Sequence, residues 1–366
     1  MRRAFCLLAL WGVLCVAGEA CAAPPQLTSA AGILIDAASG RVLFAKSAYV
    51  RRAPASTTKL LTALVAERAG GLQRTVRVSR QAASVVGSSA HLSAGEVYTL
   101  RELLEGMLLR SGNDAAWAIA EHVGGGDVGL FMRQANEQAI RLGARQTHFV
   151  NPHGLTASHH YTSARDLSLI ARTALREPEI RRIVASQELT LTPVGRGGRT
   201  IRNTNQLLSG YLGADGAKTG TTNAAGKCLV ASATRGGVQL IAVVLKGGDR
   251  YGDATRLLDW GFARVTEGPN LAAGTAFGRL ADGRVPRLAH QLAAPVVEDV
   301  PVRLSLRLDP HPARGGGVVG AALLLAGEDL VDASPLMAGP LATPFWVRLL
   351  HPLLQAPVDR PSLHSL

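Results

Sequence analysis

Between Ala31 and Ala45 two β-rich runs, Ile33-Leu34-Ile35 and Val42-Leu43-Phe44, flank Asp36-Ala-Ala-Ser-Gly40, which predicts a hairpin closed by a glycine-containing turn. After Pro54 the rhythm changes to that of a helix, with Leu60, Leu61, Leu64 and Val65 at helical spacing. Leu100 to Leu109 and Ala115 to Val123 predict two further helices, separated by Arg110-Ser-Gly-Asn-Asp114. Lys227 to Ala233 and Val238 to Leu245 are strands joined by Thr234-Arg-Gly-Gly237, so they pair antiparallel, and Leu257 to Ala263 reads as a closing helix. Strands, then helices, then strands imply an α/β domain whose sheet is built from both chain ends around a helical insert. From about Gly268 the pattern shifts to Gly, Pro and strict alternation: Val302, Leu304, Leu306 and Leu308 alternate with polar residues, and Val318 to Leu325 is another strand, so a small all-β domain is expected here.

Composition narrows the class. The chain has 366 residues, a net charge of +12, 47% hydrophobic and 4% aromatic residues, which excludes a disordered or collagen-like polymer and leaves room for two or three domains. No repeat is present, and no apolar run beyond the first thirty residues is long enough to span a bilayer. Arg2-Arg3, the apolar stretch from Ala4 to Ala17 and the small residues Ala20-Cys-Ala-Ala23 form the pattern of a secretory signal peptide. Three of the four cysteines leave with it, so the mature chain keeps Cys228 alone. The expected division is a leader over 1–23, a catalytic domain over 24–266, a β-rich domain over 267–339 and a tail over 340–366. An exported, basic chain suits an anionic envelope, in the periplasm or on the outer face of the cytoplasmic membrane; without clustered basic tracts interleaved with aromatics, no nucleic-acid partner is expected.

Three short motifs carry candidate chemistry. Ser56 and Lys59, three apart at a predicted helix start, share a face and lie within hydrogen-bond reach. The electropositive helix terminus is expected to depress the lysine pKa and let a neutral amine take the serine proton; the plainer alternative is an N-cap serine beside a solvated lysine. Ser111-Gly112-Asn113, between two helices, offers a hydroxyl for proton relay and an amide for a carbonyl, or simply a capped turn. Lys218-Thr219-Gly220-Thr221 precedes a strand; its glycine lets another extended backbone approach, and its lysine and threonine suit a carboxylate. His148, His153, His159 and His160 cluster without a metal-binding spacing, so no metal or other cofactor is expected, and Cys228 reads as a small buried hydrophobe.

In this order the motifs form the S-x-x-K, S-x-N, K-T-G set. With Ile35-Asp36-Ala37, Asn151-Pro-His-Gly-Leu155, Tyr161-Thr-Ser-Ala-Arg-Asp-Leu167, Asn203-Thr-Asn-Gln-Leu-Leu208 and Leu257-Leu-Asp-Trp-Gly-Phe262, the chain resembles the low-molecular-mass penicillin-binding proteins, serine-type D-Ala-D-Ala carboxypeptidases that trim peptidoglycan stem peptides. The resemblance implies a β-lactamase/transpeptidase-like domain, an antiparallel sheet with helices and a helical subdomain. It implies Ser56 as nucleophile, Lys59 as general base, Ser111 and Asn113 in proton transfer and peptide positioning, and Lys218 in the electrostatic environment. Thr219 and Arg250 would meet the substrate carboxylate, and the backbone of Gly220 and Thr221 would line the binding strand, with the N–H groups of Ser56 and Thr221 as oxyanion hole. Some relatives have histidine where this chain has Thr221. Stem peptides and β-lactam antibiotics are the implied partners. Rival readings are a D,D-endopeptidase, a β-lactamase of the same fold, or a catalytically idle wall-binding protein. A class A β-lactamase needs a glutamate to activate water, and Thr147 to Gly154 supplies none.

In the tail, Thr343-Pro344 starts a short helix with Leu341, Phe345, Trp346, Leu349 and Leu350 on one side, an amphipathic stripe suited to the membrane surface; packing against the β-rich domain is the alternative.

Overall fold

The computed structural model describes residues 23–266, 268–293, 296, 297, 302–309, 316–326 and 329–339. The expected leader, apart from its last residue, and the tail from 340 onward lie outside the described residues. The predicted hairpin is present as β1 (Ala31–Asp36) and β2 (Val42–Lys46). Gly40 adopts φ +72° in its turn, a left-handed conformation that glycine adopts without strain.

Among the described residues the longer helices that follow are α1 (Lys59–Ala69), α2 (Leu100–Leu109), α3 (Asn113–Val123), α4 (Val128–Arg141), α5 (Ala164–Ala174) and α6 (Pro178–Ala185). Two of these starts, those of α2 and α5, carry side-chain caps. Thr99 and Glu102 form a reciprocal capping box at α2, and the Ser163 hydroxyl accepts the Asp166 N–H at α5. Leu167, Ile170, Ala171 and Ala174 give α5 one fully buried stripe at positions i, i+3, i+4 and i+7.

The chain then returns to the sheet with β3 (Ala214–Thr222), β4 (Gly226–Arg235) and β5 (Val238–Gly247), and closes with α7 (Arg250–Phe262). The sheet is antiparallel throughout, in the order β2-β1-β5-β4-β3. Both chain ends contribute strands, as the sequence implies. Alternation along the strands divides two cores: Ile33, Ile35, Cys228, Val230, Ile241 and Val243 face the helical layer, whereas Leu34, Leu229, Ala231, Leu240 and Val244 face α7. Leu257 and Leu258 of α7 are fully buried, each contributing roughly 1.5–3 kcal/mol. The helix begins seven residues earlier than expected because the Asp249 carboxylate accepts the Gly252 N–H. Asp253 holds the N-terminal segment by accepting from the backbone and hydroxyls of Thr28 and Ser29.

Beyond α7 lies a β-rich region with a four-stranded antiparallel sheet. Its strands are Arg287–Leu288, β6 (Val302–Leu308), β7 (Gly317–Ala326) and β8 (Asp329–Ala338), with β8 and β7 between Arg287–Leu288 and β6. Its small core is Leu288, Leu292, Val319, Ala322, Leu324, Leu336 and Ala338.

Candidate active site

Ser56 does not open an α-helix. It sits in a 3-10 turn over Ala55–Thr58, and Lys59 is the first residue of α1. Ala55 adopts φ +50°, a conformation an alanine rarely takes, and it turns the backbone so that Ser56 is half-buried at the rim while Lys59 is wholly enclosed. Two glycines let neighbouring backbone close on this turn. A Cβ at Gly220 of β3 would meet Ser56 N at 2.9 Å and Pro54 O at 3.1 Å. One at Gly154, itself at φ +90°, would meet Ala55 O at 1.9 Å.

Lys59 Nζ lies 3.0 Å from Ser56 Oγ, 2.7 Å from Asn113 Oδ1 and 2.7 Å from the His153 carbonyl oxygen. The latter two partners only accept. They take both protons of a neutral amine and leave its lone pair for the Ser56 hydroxyl. Burial, reinforced by the positive charge of Lys218 and partly offset by Asp114, holds the Lys59 pKa well below the usual lysine value. The expectation of a helix-terminus effect is thereby corrected: desolvation is the dominant cause, because the amine is sealed between α1, α3 and the 151–155 loop.

Asn113 begins α3, and its amide is used at both ends, with Nδ2 donating to Val86 O at 2.7 Å. It orients Lys59, and one Nδ2 proton remains for a ligand. Ser111 lies in the turn before it, buried, at φ +62°, and its hydroxyl has no hydrogen-bond partner among the described residues.

On the opposite wall runs β3. Lys218 is buried, donates to Thr219 O at 3.1 Å, and is pushed down to about 7 by burial and by Arg250. Thr219 Oγ1 lies 2.8 Å from Thr204 Oγ1. Arg250, at the start of α7, donates through Nη1 to Gly220 O at 3.1 Å and Thr221 Oγ1 at 2.9 Å, so its cation is fixed beside the exposed end of the strand. The structure thus gathers Ser56, Lys59 and Asn113 by direct contact, and Lys218, Thr219, Gly220, Thr221 and Arg250 along one strand edge packed against the Ser56 turn.

Two contributors escaped the sequence. The His153 carbonyl could not be recognised because every residue carries one, although Asn151 to Leu155 marked its loop. Thr204, in the Asn203 to Leu208 stretch, reaches Thr219 only through the fold. Two of these histidines have packing roles: His153 stacks on Trp117, while His160 stacks on Phe149 and its Nε2 lies 3.0 Å from Thr58 Oγ1. Burial lowers their pKa values, to about 3 and about 4. Cys228 is buried in β4, its thiol pushed up by burial.

A serine hydroxyl against an enclosed amine, beside an open strand edge, is the geometry that serine-type acyl transfer requires. The chain belongs to the D-alanyl-D-alanine carboxypeptidase family, whose model matches residues 19–248, and it is a serine peptidase. It is 38% identical over 245 residues to the D-alanyl-D-alanine carboxypeptidase DacF of Bacillus subtilis (strain 168), a match covering 65% of this chain and 63% of that protein. It is 36% identical over 288 residues to the D-alanyl-D-alanine carboxypeptidase of Streptomyces sp. (strain K15), covering 72% of this chain and 99% of the relative. The crystal structure of the Streptomyces K15 DD-transpeptidase superposes with a TM-score of 0.64 at 34% identity, over 66% of this chain and all of that one. The D-alanyl-D-alanine carboxypeptidase DacD of Francisella tularensis gives a TM-score of 0.65 at 26% identity over 89% of this chain and 97% of its own.

Proposed function

We propose that the protein removes the terminal D-alanine from peptidoglycan stem pentapeptides through an acyl-enzyme on Ser56. The observation that carries this reading is the pair of acceptors, Asn113 Oδ1 and His153 O, that direct the Lys59 lone pair to Ser56 Oγ. As Ser56 Oγ bonds to the carbonyl carbon of the penultimate D-alanine, its proton passes to Lys59. The oxyanion is met by the N–H groups of Ser56 and Thr221. The C–N bond then breaks, and the leaving amine of D-alanine takes a proton from the Lys59 ammonium, with the Ser111 hydroxyl within the same wall as relay. Water, deprotonated in turn by Lys59, hydrolyses the ester and frees Ser56. Thr219, Lys218 and Arg250 supply donors and positive charge for the substrate carboxylate. A β-lactam presents a strained amide and a carboxylate to the same groups, so it acylates Ser56 too.

The residue 24–266 segment as catalytic unit, the 267–339 segment as a companion β-rich domain, export of the chain and peripheral membrane contact through residues 340–366 belong to the same proposal, supported by the sequence patterns. The test is D-alanine release from a stem-pentapeptide analogue. The wild-type protein releases it, and Ser56→Ala, with unchanged circular dichroism, does not. Retention on peptidoglycan without release would favour an idle wall-binding protein.

A further inference from the structure

The loop before α2 reaches the active site, and one buried carboxylate holds it there. Asp114, the second residue of α3, is 1% exposed. Its Oδ2 accepts from Ser89 Oγ at 2.6 Å and Leu92 N at 3.1 Å, and its Oδ1 accepts from Ala90 N at 2.9 Å. The loop so anchored returns two contacts to the neighbouring residue: Val86 O accepts from Asn113 Nδ2, and Ser88 O accepts from Asn113 N at 2.7 Å. Gly112 allows the close approach, since a Cβ there would stand 2.8 Å from Ala90 Cβ and 2.9 Å from Ala90 N.

We propose that Asp114 is a positioning residue for acylation, pinning the 86–92 loop against Asn113 and thereby fixing the acceptor that holds Lys59 on Ser56. The inference rests on Lys59 acting as the base. The chain of contacts is continuous: Asp114 fixes the loop, Val86 O fixes the Asn113 amide, and Asn113 Oδ1 takes a Lys59 proton, which leaves the lone pair on the hydroxyl. Asparagine cannot replace Asp114 here, because its NH2 would face donors where the carboxylate accepts. The charge acts as well. Lys218 approaches from the strand side, with Arg250 beyond it acting on Lys218, and His153 lines the 151–155 loop; Asp114 supplies the negative charge that opposes Lys218 at Lys59.

The test is the second-order rate of acylation by a fluorescent penicillin, measured across pH for the wild-type protein, Asp114→Asn, Ser89→Ala and Ser89→Thr. Asp114→Asn is expected to acylate at least tenfold more slowly at pH 7. Its acid limb should move to lower pH by about one unit, since an anion near the amine has been removed. A slower variant whose acid limb stays in place, or one as fast as wild type, overturns the proposal. If Asp114→Asn does not fold, the Ser89 pair decides: Ser89→Ala should be roughly threefold to tenfold slower and Ser89→Thr restored, whereas an unchanged Ser89→Ala overturns it. The wild-type curve reads the underlying assignment separately: a profile without an acid limb removes Lys59 as base, and this inference falls with it, whereas a normal limb that Asp114→Asn leaves unmoved removes Asp114 alone.

Discussion

The proposed catalytic cleft and the C-terminal β-rich sheet obey local rules to different degrees. The cleft breaks them repeatedly. It encloses two lysines, Lys59 at 0% and Lys218 at 1% exposure, and it holds Ala55 and Ser111 at positive φ. The C-terminal sheet breaks them mainly at its edge: apolar and polar residues alternate along β6 and Ala322 and Leu324 fill a modest core, but Leu304, Leu306 and Leu308 stand exposed. A buried lysine costs stability and a left-handed alanine adds strain, so such features persist only where packing over-determines them, and they cluster where chemistry is done. The difference marks the cleft as the place where small substitutions should be catastrophic and the sheet as the place where they should be nearly silent.

The largest effect is expected from Lys59→Arg. Arginine places a permanent charge where a neutral amine is required and cannot serve as a base, so D-alanine release and penicillin labelling should fall to near background. An active arginine variant would show that charge alone matters at this position. In the wild-type protein the same logic sets the pH dependence. As the proposed base Lys59 must be neutral, so activity should fall, up to about tenfold per unit, as pH drops through its lowered pKa. Lys218 is charged below its value of about 7 and loses that charge above it, so KM for a free-carboxylate peptide should rise on the alkaline side. The two limbs belong to the coupled pair.

Next in size is Gly220→Ala. Its Cβ would press on Ser56 N, a proposed oxyanion donor, from 2.9 Å. Relief requires the strand and turn to separate, at about 1–3 kcal/mol, and acylation should slow at least tenfold. Wild-type kinetics from this variant would mean that β3 need not sit so close to the nucleophile.

Arg250→Ala should impair peptides ending in a free carboxylate more than matched terminal amides. A charge-assisted hydrogen bond is worth about 1.5–3 kcal/mol, or roughly tenfold to more than a hundredfold. The alkaline limb should also move to higher pH, because Arg250 is one of the causes that lower Lys218. Equal losses on acid and amide, with the limb unmoved, would assign Arg250 to holding β3 through Gly220 O and Thr221 Oγ1.

The smallest effect is expected on β6. Leu306 is 43% exposed, so Leu306→Ser should change stability by about 0.5 kcal/mol or less and leave D-alanine release unchanged, as thermal melts and the peptide assay would read. A large loss at Leu306 would contradict the division between the two regions.

What the sequence disclosed follows the same division. The hairpin, α2, β4, β5, β6 and β7 were legible because period and turn residues are local properties, and each run carries its own. The three motifs were legible because Ser56, Lys59, Ser111, Asn113 and Lys218 are side chains with distinctive chemistry. The 3-10 geometry at Ser56 was not, since Pro54-Ala-Ser56 reads as a helix start and the close approach of Gly154 and Gly220 to this turn comes from residues distant in sequence. The cause of the Lys59 shift was misassigned for the same reason: burial of an amine by α3 and the 151–155 loop is a property of packing. Asp114 stood in the sequence at the end of the break between two predicted helices, and its reach back to Ser89, Ala90 and Leu92 exists only once the loop is folded.

The most direct measurement is the site of covalent attachment. Protein incubated with penicillin, digested and sequenced by mass spectrometry should carry the acyl group on the peptide containing Ser56, at Ser56 itself, and the adduct should be missing from Lys59→Arg. An adduct on Ser111 or elsewhere, or full labelling of Lys59→Arg, would contradict the account.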